Sequence, residues 1–276
     1  MAITSTATRR FPRRRPERLF VTGGAGFLGR HVVNGPAAQR WELVAPSSQA
    51  LDLRNPDSVR SVIGDWRPTA IIHTAYRRDD RASIVAATRH VAEAAARSRA
   101  RLVHVSTDAL FGGRSAPYRE ADDPTPITDY GRWKAEAEQI VADTAPGAVV
   151  VRTSLLFGGH ELSPHELAVR DAIEGRSAMA FFTDEIRSPG LVDDVAAALV
   201  ALAGRRDLVG RLHLGGPEPL SRADLARRTA QRHGWDASRL RFSTLAAAGM
   251  VRPARVVLDS SLAAAHGLTV RGPAAY

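Results

Sequence analysis

Tyr130 and Lys134, four residues apart in the run Tyr130-Gly131-Arg132-Trp133-Lys134, are the first residues whose types and spacing could do chemistry. Lys134 is the only lysine among the 38 basic residues of the chain. A sequence that uses arginine everywhere else keeps lysine where a compact ammonium is needed and a broad, planar guanidinium does not fit. At helical spacing the two side chains share a face, so the cation is expected to sit beside the phenol and favour its ionised form. A tyrosine brought down from its usual value of about 10 could donate a proton near neutrality. Taken alone, the same spacing also describes an aromatic ring stacked on a cation at a helix surface.

A second signal lies near the start of the chain. The apolar run Arg18-Leu19-Phe20-Val21-Thr22 enters Gly23-Gly24-Ala25-Gly26-Phe27-Leu28-Gly29, after which Arg30-His31-Val32-Val33 begins a helix. Gly23, Gly26 and Gly29 are spaced by three. A strand that turns tightly into a helix brings its backbone close enough to a pyrophosphate for amides and helix dipole to hold it, and side chains would block that approach. An ordinary glycine-rich turn is the alternative, but strand before and helix after favour dinucleotide binding. An acidic residue about 20 positions past the loop would chelate the ribose hydroxyls of NAD. Ala45-Pro46-Ser47-Ser48 stands in that region instead, with Arg30 close to the loop. NADP(H) is therefore expected ahead of NAD(H), with Arg30, Ser47 and Ser48 receiving the 2′-phosphate; serines after a strand also form turns.

These residues need a scaffold, and the sequence supplies strands and helices in alternation. Trp41–Ala45 is expected as a second strand and Gln49–Leu53 as a short third one, followed by a helix from Asn55-Pro56-Asp57 through Trp66. Thr69–Ala75 is a continuous apolar run of buried-strand type, followed by an alanine-rich helix over Arg81–Arg99 and a strand over Arg101–Thr107. Such alternation implies an α/β fold, a Rossmann-type doubly wound parallel sheet whose ligands bind at the carboxyl ends of the strands. Those ends carry Gly23, Ser47, Thr74-Ala75-Tyr76 and Ser106-Thr107-Asp108, all able to face one crevice. The expected organisation is a disordered basic tail over 1–16, a dinucleotide-binding domain over 17–151, and over 152–276 a small substrate-binding region interleaved with the last sheet elements. Within the last region Ser221 is expected to cap a helix, with Asp224 at its third position.

Composition narrows the chemistry. With 276 residues, 44% of them hydrophobic, the chain can bury a full α/β core, and with no cysteine it has neither disulfides nor thiolate chemistry. No apolar stretch approaches the roughly 20 residues that span a bilayer, so no membrane partner and a cytoplasmic location are expected. Arg9-Arg10 resembles a twin-arginine export signal, but the apolar residues after it belong to the first strand and glycine loop, not to a cleavable segment. Residues 1–18 carry six arginines against Glu17, a net +5 of the total +9. Elsewhere arginines alternate with acids, as in Arg77-Arg78-Asp79-Asp80, so no nucleic-acid partner is expected.

The glycine loop, Leu51-Asp52-Leu53, His73-Thr74-Ala75-Tyr76, Val105-Ser106-Thr107-Asp108, Tyr130-x-x-x-Lys134 and Val151-Arg152-Thr153-Ser154 occur in order, and Arg187-Ser188-Pro189, His213-Leu214-Gly215-Gly216-Pro217 and Arg252-Pro253-Ala254-Arg255 come after them. In this the chain resembles the extended short-chain dehydrogenase/reductases, and among them the dTDP-4-dehydrorhamnose reductase-like group. The resemblance implies a reductase acting on the carbonyl of a nucleotide-linked keto-deoxysugar. Under it Gly23, Gly26, Phe27, Leu28 and Gly29 hold the pyrophosphate, Asp52 and Leu53 contact adenine, and Thr74, Ala75 and Tyr76 wall the ribose and nicotinamide. Thr107, Tyr130 and Lys134 form the catalytic set, with Tyr130 and Lys134 also touching the cofactor. Asp108, Ser154 and Leu155 line the substrate along with Thr107, and Arg187, Arg252 and Arg255 are candidates for its diphosphate.

Some positions depart from the family. His73-Thr74-Ala75 stands where Asn-Ala-Ala is frequent, Ile84 replaces an asparagine that supports a proton relay, and Leu155 replaces an aromatic residue after Arg-Thr-Ser. No acidic set matches the Mg²⁺ site of some members, so no metal is expected. A sugar-nucleotide epimerase and a catalytically silent dinucleotide-binding regulatory subunit stay open as alternatives, and so does a homodimer.

Overall fold

The strands β1 (Arg18–Thr22), β2 (Glu42–Val44), β3 (Ala70–His73), β4 (Arg101–Thr107) and β5 (Val149–Thr153) are joined by a strand from much later in the chain, Gly210–Leu214, into one six-stranded sheet. The structure, a computed structural model, describes residues 17–275, so the basic segment 1–16 lies outside the described residues. Between β5 and that late strand come β6 (Leu156–Phe157), β7 (Ala180–Phe182), β8 (Ile186–Arg187) and β9 (Gly190–Leu191), which makes Gly210–Leu214 strand β10. The sheet order is β10-β5-β4-β3-β1-β2 and every neighbouring pair is parallel.

Parallel sheets are covered on both faces, which is why β3 and β5 are buried at every residue. Alternate side chains sort to opposite cores. Leu19, Val21, Ile72, Val103 and Val151 pack on one face with Val195, Leu199 and Leu202 of the helix Val192–Ala203. Phe20, Ile71, Leu102 and Val150 pack on the other with Val59, Ile63, Val91 and Ala95. In chain order the helices are α1 (Phe27–Asn34), α2 (Pro56–Trp66), α3 (Ala87–Ser98), α4 (Asp129–Thr144), α5 (Pro164–Ile173), α6 (Val192–Ala203), α7 (Arg222–His233) and the short α8 (Ser261–Ala265).

Two elements differ from the sequence expectation. Gln49–Leu53 is not a strand: the Ser47 carbonyl accepts from the amides of Ala50 and Leu51 at 3.1 and 3.0 Å, and this turn sends Leu51 down into the second core. β2 is therefore the edge of the sheet. The helix expected over 81–99 is divided, because Ala82–Ala86 form a π-turn before α3 begins.

β11 (Leu220–Ser221) pairs antiparallel with β8, and β12 (Arg241–Ser243) pairs parallel with β7. Around them α5 and α7 build a lobe with its own core of Val169, Ile173, Phe181, Ala223, Ala226 and Ala230. α5 starts on a capping box between Ser163 and Glu166, and α7 on the expected cap, with the Asp224 amide donating to Ser221 Oγ at 2.9 Å. A division at 151/152 falls inside β5, and the lobe returns to the sheet through β10. Among the described residues no helix is long and apolar enough to cross a membrane.

Four buried histidines are held neutral by their loss of hydration. Burial lowers His73 and His165 from 6.5 to about 3 and His213 to about 4, and takes His104 well below 6.5. On acidification from 6.5 the unfolded chain takes up protons that the folded chain does not, so stability falls with pH in that window. The urea midpoint is expected to drop between pH 7 and pH 5, before carboxylates begin to protonate; a flat midpoint there would contradict neutral burial.

Candidate active site

Strand order reverses between β1 and β3, and the carboxyl ends of these strands open a crevice of about 1260 Å³. The glycine loop forms its floor. Gly23 has φ +73°, and a Cβ there would lie 2.8 Å from the backbone of Ala75 and from Thr74 Oγ1. A Cβ on Gly29 would lie 2.0 Å from the Gly23 carbonyl oxygen, so the third glycine is what lets α1 start against the turn. Gly26 caps α1 with no side-chain acceptor and no acidic residue in the first turn. A helix N-terminus left open in this way fits a pyrophosphate. Phe27, Leu28, Ser47, Ser48, Asp52, Leu53, Thr74, Ala75 and Tyr76 all line the same crevice, so the expected cofactor residues converge there, Arg30 excepted.

Across the loop stand Thr107 at the end of β4 and Tyr130 and Lys134 on α4. Thr128 Oγ1 caps α4 by accepting from the Gly131 amide at 3.1 Å. A Cβ on Gly131 would lie 2.4 Å from the Ala109 carbonyl oxygen, so this glycine lets α4 approach the turn after β4. Lys134 is 3% exposed, and its Nζ donates to the Val105 carbonyl at 2.7 Å. Burial lowers its pKa from 10.5 to about 8, opposed by Glu138 one turn on. The ammonium also lies 5.4 Å from the centre of the Tyr76 ring.

The phenol corrects the expectation that Lys134 lowers it. Burial raises the Tyr130 hydroxyl well above its usual range, with Tyr76 adding to the rise. The groups that pull it down are the Thr107 hydroxyl and Arg78, whose guanidinium lies 4.7 Å from the ring centre. Tyr130 is thus held in the proton-loaded form. Ile84 packs beside Tyr130 in an apolar cluster, and His73 is satisfied by Thr22 at 2.7 Å and Thr88 at 3.2 Å.

The far end of the crevice is charged. Asp108 is buried, and burial raises its pKa, opposed first by Arg187 at 3.8 Å and then by Ser154, which donates to it at 2.6 Å. Leu155 lines the wall beside Ser154. Arg187 is committed to its own chain, donating to the Ile186 and Pro253 carbonyls at 2.7 Å each and pairing with Glu185 at 3.3 Å. Arg252 lies over the Phe182 ring at 5.6 Å and reaches Glu185 at 3.5 Å.

Two expected arginines are elsewhere. Arg30 does not line the crevice; it grips the Glu161 carboxylate at 2.7 and 2.9 Å and also donates to the Ala25 carbonyl. Arg255 turns away and donates to the Ser115 carbonyl at 3.1 Å. Besides Arg78 over the Tyr130 ring, the crevice holds three other arginines that sequence reasoning does not single out. Arg54 and Arg77 flank Asp52, whose carboxyl Arg54 lowers to about 2, and Arg222 opens α7 at the charged end, its pKa lowered chiefly by burial. Arg54 could have been found as the first cation after Leu51-Asp52-Leu53. Arg222 carries no local signal, since a residue just inside a capped helix is usually solvated.

The family described as RmlD substrate binding domain matches residues 17–272. The dTDP-4-dehydrorhamnose reductase of Mycolicibacterium smegmatis is 31% identical over 266 residues, which cover 92% of this chain and 81% of that protein. Methionine adenosyltransferase 2 subunit beta of Bos taurus is 30% identical over 281 residues, covering 93% and 84%. Among solved structures, dTDP-4-dehydrorhamnose reductase from Bacillus anthracis in complex with NADP superposes with a TM-score of 0.85 at 25% identity, over 94% of this chain and 96% of that one.

Replacement of Gly29 by alanine forces the Gly23 carbonyl to move and is expected to cost about 1–3 kcal/mol of stability. NADPH affinity should fall with it. Thermal denaturation and calorimetric titration of this variant check both.

Proposed function

The chain belongs to the RmlD substrate binding domain family, and from that premise we propose that it is an NAD(P)H-dependent reductase of a nucleotide-linked keto-deoxysugar. The observation that carries this reading is the convergence of Thr107, Tyr130 and Lys134 on the crevice that also holds the glycine loop and the Arg222 end. The nicotinamide, when bound, supplies a hydride to the carbonyl carbon. As the C=O electrons move to oxygen, Tyr130 donates its hydroxyl proton to that oxygen, and Thr107 Oγ1 donates a hydrogen bond to it. Burial keeps the Tyr130 proton in place until that demand arises. Lys134, fixed by the Val105 carbonyl, orients the ribose and supports the phenolate left behind.

At the charged end Arg222 is the guanidinium best suited to a substrate diphosphate, because Arg187 and Arg252 reach Glu185 at 3.3 and 3.5 Å, whereas Arg222 feels that carboxylate only at longer range. At the adenine end Arg54 and Arg77, not Arg30, would receive a 2′-phosphate, with Ser47 and Ser48 beside them. NADPH is preferred to NADH on this reading. The likeness to methionine adenosyltransferase 2 subunit beta favours a second reading, a dinucleotide-binding subunit without turnover.

Oxidation of NADPH in the presence of dTDP-4-keto-6-deoxy sugars separates the two. Turnover is expected, falling about a hundredfold or more in Tyr130→Phe and Lys134→Arg, while Tyr130→Phe still binds cofactor. Absence of turnover with every keto-sugar nucleotide would favour the subunit. Arg222→Ala is expected to raise KM by about 1.5–3 kcal/mol equivalent with kcat little changed. NADPH should bind at least about tenfold tighter than NADH, near 1.4 kcal/mol, and Arg54→Ala should narrow that gap.

A further inference from the structure

His31 presents an anomaly outside the crevice. It lies on α1 with its side chain 1% exposed, and its Nδ1 pairs with Asp193 of α6 at 2.7 Å. Its Nε2 is buried and has no hydrogen-bond partner among the described residues. The nearest carboxylate oxygen, Glu161 Oε1, is 3.9 Å away, too far for a hydrogen bond. The His160 ring sits beside it, 4.4 Å between centroids. The ligand atoms of His31, His160 and Glu161 all fall within 4.8 Å of one another. None of the three lines the crevice.

We infer that His31 Nε2, His160 and Glu161 form a site for a transition-metal dication, most simply Zn²⁺, that fastens the 158–161 loop to α1. Two imidazoles and one carboxylate, with water in the fourth position, make a zinc ligand set; hard Mg²⁺ or Ca²⁺ would require oxygens. The surroundings match what such ligands need. A ligating histidine donates its other N–H to a carboxylate, which fixes the tautomer, and Asp193 accepts from His31 Nδ1. This leaves a lone pair on Nε2. Arg30 grips Glu161 from the side, and a carboxylate has about four lone-pair positions, so enough remain for a metal.

Gly159 completes the site. Its φ is +93°, and a Cβ there would lie 2.1 Å from His31 Cε1 and 2.8 Å from Nε2. Only a glycine lets the loop cross this edge of the ring and leave it clear. Bonds of about 2.1 Å at tetrahedral angles bring ligand atoms to roughly 3.4 Å, and the exposed His160 side chain can rotate to close the difference. Sequence gives no metal signal because His31 and His160-Glu161 sit on segments far apart in the chain. The ligated loop leads directly into α5, whose Pro164, His165 and Ala168 wall the crevice, so the metal would also hold that wall.

The test is titration of the untagged, metal-stripped full chain with ZnCl2 by calorimetry, and with Co²⁺ read by its visible absorption. One ion per chain is expected, with intense tetrahedral Co²⁺ bands and a raised melting temperature. His160→Ala and Glu161→Gln should each weaken binding at least tenfold while leaving the metal-free melting temperature near its starting value. Asp193→Asn should weaken it by about ten- to a hundredfold through His31. His266→Ala, a histidine beside Arg205, should leave binding unchanged. Failure of the wild-type chain to bind either ion would overturn the inference. Binding that survives His160→Ala, or is lost in His266→Ala, would overturn it by placing the ion elsewhere.

Discussion

Lys134 is a primary amine buried at the carboxyl end of β4, and much of the site is arranged around it. Among the described residues its ammonium has one hydrogen-bond acceptor, the Val105 carbonyl at 2.7 Å, and loss of hydration lowers its pKa to about 8. Burying a charge with so little compensation is unfavourable, and the fold must hold α4 firmly against β4 to sustain it. Three contacts do so. Thr128 caps the first turn, Gly131 lets the helix backbone reach Ala109, and Glu138 takes a multiple hydrogen bond from fully buried Arg152 on β5 at 2.8 to 3.2 Å. Removing one partner of such a buried pair costs about 3–5 kcal/mol, because the other charge is left without a counter-ion.

The same constraint places the tyrosine. Tyr130 lies one turn before Lys134, so the contacts that fix the ammonium also fix the phenol between Thr107 and Tyr76. The two groups are pushed in opposite directions by one cause. Burial disfavours the charged form of each, keeping the phenol protonated and easing the ammonium toward neutrality. A bound cofactor, carrying ribose hydroxyls and phosphate charge into the crevice, would alter both.

Local order is legible in the sequence where short-range rules decide it. The strand Arg18–Thr22, the glycine turn, the helix ending at Trp66, the strand Arg101–Thr107 and the Ser221 cap all depend on neighbours in the chain. The Tyr130-Lys134 spacing also predicts a shared helix correctly. What sequence cannot supply is which groups face each other across long separations. Arg30 has the position of a phosphate ligand, but its partner is Glu161, 131 residues away. The Gln49–Leu53 run has the composition of a strand, yet two hydrogen bonds to Ser47 turn it inward. The tyrosine pKa escapes the sequence for the same reason. A charge at helical spacing is visible there, whereas the depth of burial that outweighs it is a property of the packed molecule.

Because Lys134 is the sole lysine, the chain labelled with ¹³Cε-lysine gives one side-chain methylene resonance from this site, and its titration by NMR tests directly whether the ammonium is buried. A transition near pH 8, shifted by NADPH and absent in Lys134→Arg, is the expected result. A transition at the ordinary 10.5 that ignores the cofactor would contradict a buried Lys134 at the centre of the site.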